Sequence, residues 1–324
     1  MAANYWDSSQ AKYWTYSKSE LAEQRNQLQE VNQPLHTKYP LPDRRLLNIY
    51  LQQNLVKLAR RSTVRQQALA TAQVYVKRFY LRVEIRKTNP FLIMATAIYL
   101  ACKMEEAPQH IRLILAEAAR QWPELTVTEP SKVGECEFAL ISTLSSRMIV
   151  HHPYRSLNEL APLFSLSNEE ITFAHNVIND SYNTDLALLY PPHVIAITAI
   201  FLALVIRPAG QPAGLQNYAS SSSSAQTASP SPGGSNMSPP PLGGSTGTAA
   251  MSAASAQQAL LGGFKAAGPK IGKLVDWLAE SNVDMSAIVD ATQELVSLYE
   301  VWEQQYNEPA CKDAVMKFMM GVKA

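Results

Sequence analysis

The sequence predicts an all-α protein built from two tandem five-helix bundles, preceded by an N-terminal helix and interrupted by one low-complexity insertion. Three observations carry that prediction. Thr96-Ala97-Ile98-Tyr99-Leu100-Ala101 recurs 102 residues later as Thr198-Ala199-Ile200-Phe201-Leu202-Ala203, and the register extends to Pro90 with Pro192 and Tyr80 with Tyr182. An ungapped repeat of that length is a duplicated domain rather than a short-period solenoid. Each copy reads as helix, connector, proline and a nearly all-apolar helix, and a helix apolar all round must be surrounded by others.

The elements follow in order. Residues 1–42 read as an N-terminal helix and linker with Trp6 and Trp14 about two helical turns apart, either tucked onto the protein's own core or, on the sharper reading, facing a partner. The first bundle, residues 43–150, opens at Asp43 with Leu47, Leu51, Leu55 and Leu58 at helical spacing. Thr63 and Gln66 read as a capping box opening a second helix, whose stripe is Leu69, Ala72, Val76, Phe79 and Val83. Asn89-Pro90 supplies an N-cap and a first-turn proline for the buried helix Phe91 to Met104. Helices over 111–121 and 131–148 complete the copy.

The second bundle, residues 151–306, repeats these signals. Ser167 and Glu170 form a capping box, Ile171, Ala174, Ile178 and Tyr182 a stripe, and Pro191-Pro192 the start of the central helix. Ile271 to Leu278 and Ile288 to Trp302 finish it. Between them, residues 209–264 carry no charge and are dominated by Ser, Gly, Pro and Ala, a composition expected to stay disordered because it buries too little surface to offset ordering entropy. Residues 307–324 read as a C-terminal tail.

Composition narrows the function classes. Apolar residues make up 47% of 324 and the net charge is +1, but residues 1–150 hold 20 Lys and Arg against 13 Asp and Glu, whereas residues 151–324 hold 8 against 14. The balanced total argues against a dedicated nucleic-acid binder. Three dispersed cysteines fit neither a metal knuckle nor a disulfide framework. No signal peptide is read at the N-terminus, and the longest apolar stretch, Val194 to Ile206, is shorter than the roughly 20 residues of a bilayer span. Phosphate-loop, nucleophile-elbow and metalloprotease motifs are absent, so no catalytic, cofactor or metal residue is assigned and an enzyme is not expected. His151-His152 reads as a turn or packing element, and Glu105-Glu106 as a solvated pair.

Glu137 stands out. Within the stripe Val133, Glu137, Ile141, Leu144 and Met148 it sits where an apolar group is expected, and a buried carboxylate needs a cation or several donors. Lys103, at the end of the central helix, is the candidate partner; the alternatives are a Glu137 at the stripe edge reaching water and a Lys103 held only by the helix C-terminal dipole.

Two tandem five-helix bundles resemble the cyclin fold, and the local sequence is closer still. Arg65-Gln66-Gln67 through Lys77-Arg78-Phe79-Tyr80 and Tyr99-Leu100-Ala101-Cys102-Lys103-Met104-Glu105-Glu106 resemble a cyclin box of the transcriptional group. Trp6-Asp7-Ser8-Ser9, Glu135-Cys136-Glu137-Phe138, His152-Pro153-Tyr154-Arg155, the run Asn179 to Leu186 and Tyr190-Pro191-Pro192 are similar to cyclins of the C type. The resemblance covers residues 4 to about 305 outside the insertion, which itself suggests a fungal source. It implies a non-catalytic subunit of the Mediator kinase module, located in the nucleus. Such a subunit activates a cyclin-dependent kinase, contacts other module subunits and serves as activator or repressor of RNA polymerase II transcription. No membrane or direct nucleic-acid contact is implied. By the same resemblance, Lys103 and Glu137 pair beside the kinase's regulatory helix, Met104, Ile141 and Met148 are apolar interface positions, and the segment around Trp6 and Trp14 selects the kinase. The first helix lacks the M-R-x-x-L-x-x-W run that marks a substrate-docking groove in cell-cycle cyclins. The alternative is a DNA-binding general transcription factor with a double cyclin fold.

Overall fold

Two prolines and two apolar runs organise the chain. In the computed structural model, which describes residues 4–123, 129–206 and 268–321, Pro90 and Pro192 each occupy the first turn of a buried central helix. After a 3-10 turn at Tyr5–Asp7, the N-terminal segment forms α1 (Ser9–Tyr13), α2 (Lys18–Val31) and α3 (Gln33–Lys38). The first bundle contains α4 (Arg44–Arg61), α5 (Gln66–Tyr80), α6 (Pro90–Met104), α7 (Ile111–Gln121) and α8 (Pro130–Thr143). The second contains α9 (Pro153–Leu160), α10 (Asn168–Ser181), the short α11 (Leu186–Leu189), α12 (Pro192–Val205), α13 (Gly268–Glu280) and α14 (Met285–Gln304). A last helix, α15, spans Glu308–Gly321. No strand occurs among the described residues.

α6 touches all four other helices of its bundle, and α12 is surrounded by α9, α10, α13 and α14. Asn89 caps α6 by accepting from the Phe91 and Leu92 N–H groups at 3.1 and 3.3 Å. The capping box of Ser167 and Glu170 is present. The expected box at Thr63 is not. Thr63 has a positive φ of 50° and Val64 N–H reaches back to Ala59 C=O at 2.9 Å, so Thr63 terminates α4 rather than starting α5. α5 begins at Gln66 behind an uncapped Arg65.

The same device ends α8 early. Ser145 and Ser146 have positive φ, and Ser146 N–H bonds Ile141 C=O at 3.0 Å. The helix therefore stops at Thr143 instead of running to 148. Left-handed residues of this kind are usually glycine, and a serine gives no such warning in the sequence.

α5 joins the two bundles. Its Leu69, Ala72, Val76 and Phe79 enter the first core, while Ala70 and Val74 enter the second. A buried hydrogen-bond chain reinforces the junction. Thr71 Oγ1 donates to Glu105 at 2.6 Å and accepts from His152 Nε2 at 2.7 Å, and His152 Nδ1 accepts from the Tyr182 hydroxyl at 2.7 Å. Burial, with the nearby charges of Arg78 and His151, pushes the His152 imidazole down to about 3, so it is neutral.

One further expectation changes, and another falls outside the structure's reach. Residues 307–324, read as a tail, contain α15, whose Cys311, Val315, Phe318 and Met319 are buried in the first core against α4. The apolar spacing was visible but short, and only return packing on the first bundle reveals its use. Residues 209–264, read as a disordered insertion, lie outside the described residues.

Candidate functional site

The end of the first central helix meets α8 at an exposed corner. α6 stops because Glu106 takes a positive φ of 50° and Ala107 N–H bonds Cys102 C=O at 2.9 Å. Glu105 is then folded back onto α5, accepting from Gln67 Nε2 and Thr71 Oγ1, both at 2.6 Å. It is a structural acceptor, not the solvated carboxylate the sequence suggested. Lys103 projects from the last turn of α6, where a cation complements the helix dipole, and lies 4.8 Å from the centroid of the Tyr99 ring.

Lys103 Nζ forms an ion pair with Glu137 Oε1, as the sequence anticipated. The stripe used to argue for it requires correction. The buried residues of α8 are Val133, Cys136 and Leu140, followed by Leu144 just beyond the helix. At roughly 100° per residue, Glu137 lies about 40° and Ile141 about 80° round the helix from Val133. Both therefore sit at the edge of the stripe, half-buried. The Glu137 side chain is 15% exposed, and its Oε1 is buried with no aligned hydrogen bond, leaving Lys103 as its compensation.

Around this pair the surface is apolar. Met104 is 41% exposed and Phe138 76% exposed. Phe138 was not singled out from the sequence. Its signal was present, since at about 140° from Val133 it faces away from a stripe that otherwise collects every large apolar residue of α8. Met148, by contrast, is 8% exposed and belongs to the first core, because the early end of α8 turns it inward. It is removed from the interface set.

The N-terminal tryptophans separate. Instead of one helix carrying both, Trp6 lies in the opening 3-10 turn and Trp14 caps α1 with a φ of −131°. Trp6 is 63% exposed and rests against His193, with ring centroids 5.8 Å apart. Trp14 is fully buried in the first core, with the Arg78 and Arg82 guanidinium groups 4.9 and 4.4 Å from its ring centroid. It is a packing anchor, unavailable to a partner in this conformation. Arg82 also donates to Thr143 C=O at 2.6 Å, so Trp14 ties the N-terminal segment to the end of α8. Burial lowers Arg78 to about 10, yet none of its guanidinium nitrogens has a hydrogen-bond partner. The Trp14 ring is its compensation.

Among the described residues no group of three His, Cys, Asp or Glu side chains is placed to hold a metal, and no helix is long and apolar enough to cross a membrane. Burial raises the Cys102 thiol to about 11 and pushes Cys136 in the same direction, which disfavours the thiolate at both. What the corner presents is an ion pair with two exposed apolar residues, Met104 and Phe138, next to its members in the chain.

Comparison with known proteins assigns the architecture. The family described as Cyclin, N-terminal domain, matches residues 13–149. An RNA polymerase II holoenzyme cyclin-like subunit of Emericella nidulans is 51% identical, covering 97% of this chain and 96% of its own. A subunit of the same description from Neurospora crassa is 48% identical, covering 98% of each. This chain belongs to the cyclin family. Within it, the chain is a member of the RNA polymerase II holoenzyme cyclin-like subunits. A chain of the CAK complex of Chaetomium thermophilum shares the cyclin fold, with a TM-score of 0.58 at 17% identity over 98% of this chain and 86% of that one. A chain of the yeast TFIIK complex gives 0.56 at 17% identity, covering 91% of this chain and 100% of that one.

Proposed function

We propose that this cyclin is the non-catalytic regulatory subunit of a cyclin-dependent protein kinase in the Mediator kinase module, acting on RNA polymerase II transcription in the nucleus. The observation that carries this reading is the corner of α6 and α8, where the Lys103–Glu137 pair is flanked by the exposed Met104 and Phe138 and the half-buried Ile141. Kinase activity requires an internal Lys–Glu ion pair whose formation depends on the position of the regulatory helix. A rigid surface that binds this helix better in its active placement shifts the population towards it by that difference in affinity. Trp6 supplies a second contact outside the bundles and is the residue best placed to discriminate between kinases, because contacts common to all cyclins cannot.

The test is phosphotransfer by a purified cyclin-dependent kinase of the module with and without this chain. The rate is expected to rise, and an unchanged rate rejects the proposal. Phe138→Ala is expected to weaken binding by about 2 kcal/mol, the scale of an interface hot spot. Glu137→Ala and Lys103→Ala are each expected to cost about 2 kcal/mol of affinity, and the double variant less than their sum because they share one contact. Additive losses in calorimetry would show that the two residues act separately.

A further inference from the structure

One polar chain reaches the α6–α8 corner from the second bundle. It starts at Tyr182, which ends α10 and whose hydroxyl donates to His152 Nδ1 at 2.7 Å. His152 stands just before α9, and its Nε2 lies 2.7 Å from Thr71 Oγ1 on α5. Thr71 in turn donates to Glu105 Oε1 at 2.6 Å, and Glu105 ends α6 two residues after Lys103.

The chemistry of the groups fixes the direction of every bond. A carboxylate only accepts, so the single hydroxyl proton of Thr71 goes to Glu105 and its oxygen accepts from His152 Nε2–H. His152 Nδ1 is then left as an acceptor for Tyr182, the arrangement a neutral imidazole offers. Thr71 is fully buried, and Tyr182 and His152 are 1% and 8% exposed, so none of the three presents a surface to a partner protein. Burying polar groups is costly unless each is bonded, and a satisfied network rigidifies the parts it joins.

The duplicated fold does not demand this chain. In the 102-residue register Thr71 corresponds to Phe173 and Glu105 to Arg207, so the second copy has neither the hydroxyl nor the acid at these positions. Phe173 simply packs on the second core.

What the chain holds is the last turn of α6. Glu106, the next residue, has a positive φ of 50°, a conformation that a non-glycine residue keeps only when its surroundings enforce it. The side chains of Lys103 and Met104 on that turn are each about 41% exposed, so the backbone beneath them governs where they stand. Glu105 pins this backbone to α5 through Thr71 and, at 2.6 Å, through Gln67.

We propose that Thr71 is a positioning residue for kinase binding: the relay from Tyr182 through His152 and Thr71 to Glu105 fixes Lys103 and Met104 in the placement that the kinase's regulatory helix meets. Groups of the second bundle thereby set affinity through a corner of the first. The inference rests on the reading of the α6–α8 corner as the kinase-binding surface.

The test measures the affinity of full-length variants for the purified kinase by calorimetry. Thr71→Val, which keeps the shape and removes the hydroxyl, is expected to weaken binding by about tenfold, whereas Thr71→Ser stays within about twofold of the wild type. In a chain already carrying Lys103→Ala and Met104→Ala, Thr71→Val is expected to weaken binding by less than about twofold, because the residues it positions are gone. Ile200→Val, a trim in the second core, controls for lost stability and is expected to leave affinity unchanged. If Thr71→Val fails to fold, Tyr182→Phe replaces it, with an expected loss of about threefold that also vanishes in the Lys103→Ala, Met104→Ala background. Unchanged affinity in Thr71→Val, a full loss that persists in that background, or an equal loss in Ile200→Val would each overturn the proposal. If Lys103→Ala and Met104→Ala themselves leave affinity unchanged, the kinase reading of the corner fails and this inference falls with it. If they weaken binding and Thr71→Val does not, the relay alone is rejected.

Discussion

The two central helices differ chiefly in how they end. Over the aligned repeat, Thr96 to Ala101 and Thr198 to Ala203 are buried almost alike, with Tyr99 and Phe201 the half-exposed pair. Two positions later the copies part. Lys103 corresponds to Val205 and Met104 to Ile206 in the 102-residue register. Lys103 and Met104 are exposed, whereas Val205 and Ile206 are 1% and 4% exposed. The same helix thus terminates in an exposed, charged corner in one copy and in core in the other. A duplicated fold supplies two equivalent scaffolds, and their last turns have diverged in polarity. The second copy serves as support, holding the N-terminal segment through Tyr16 N–H to Leu188 C=O at 2.8 Å and the junction through His152 and Tyr182.

The exchange of these endings tests the comparison most severely. Val205→Lys places an ammonium in the second core with no partner, and the expected loss is about 3–5 kcal/mol, the scale of an uncompensated buried charge. The reverse exchange, Lys103→Val, leaves the mostly buried Glu137 carboxylate without its cation and is expected to cost about 1–3 kcal/mol of stability while weakening kinase binding. Chemical denaturation of both variants measures the asymmetry. Equal losses would mean that the two helix ends are not functionally distinct.

The tryptophans give the next effect. Trp14→Ala leaves a large cavity beside Arg78, now without its ring, and is expected to destabilise by about 3–5 kcal/mol. Trp6→Ala, at an exposed site, is expected to change stability by less than about 0.5 kcal/mol and to act on kinase affinity instead. Thermal denaturation paired with calorimetry separates the two roles.

A pH-dependent effect concerns the junction between the copies. His152 has a folded-state value near 3, below that of a free imidazole, so the unfolded chain takes up the proton first as pH falls. The stabilisation from neutral His152 is complete above about pH 6.5 and is lost progressively below it, by about 1.4 kcal/mol per pH unit. His152→Gln is expected to flatten that part of the acid limb. A midpoint-against-pH slope between pH 6 and 4 that matches the wild type would place the acid sensitivity elsewhere.

Periodicity and helix punctuation were legible wherever they were local. Asp43, Asn89-Pro90, Ser167 with Glu170 and Pro192 mark real helix starts, because a cap or a first-turn proline acts within four residues. The expected helix over 111–121 coincides with α7. Boundaries went astray at Thr63, Ser145 and Ser146, where non-glycine residues adopt the left-handed turn. Such a residue carries a conformational cost of roughly 1–2 kcal/mol that only surrounding contacts offset. For the site, a charge near an apolar stripe made Lys103 a candidate partner for Glu137, and it was the resemblance to cyclins that implied the pairing.

By itself, the sequence determined the duplication, the helical class and the identity of both central helices, since these depend on composition and spacing within single elements. Tertiary structure alone decided that Trp14 is core and Trp6 surface, that Met148 turns inward while Phe138 stands out, and that α15 closes the first bundle. Each of these depends on which face of one helix meets another far away in the chain. An amphipathic pattern specifies that a face is buried, but the partner that buries it is chosen by packing.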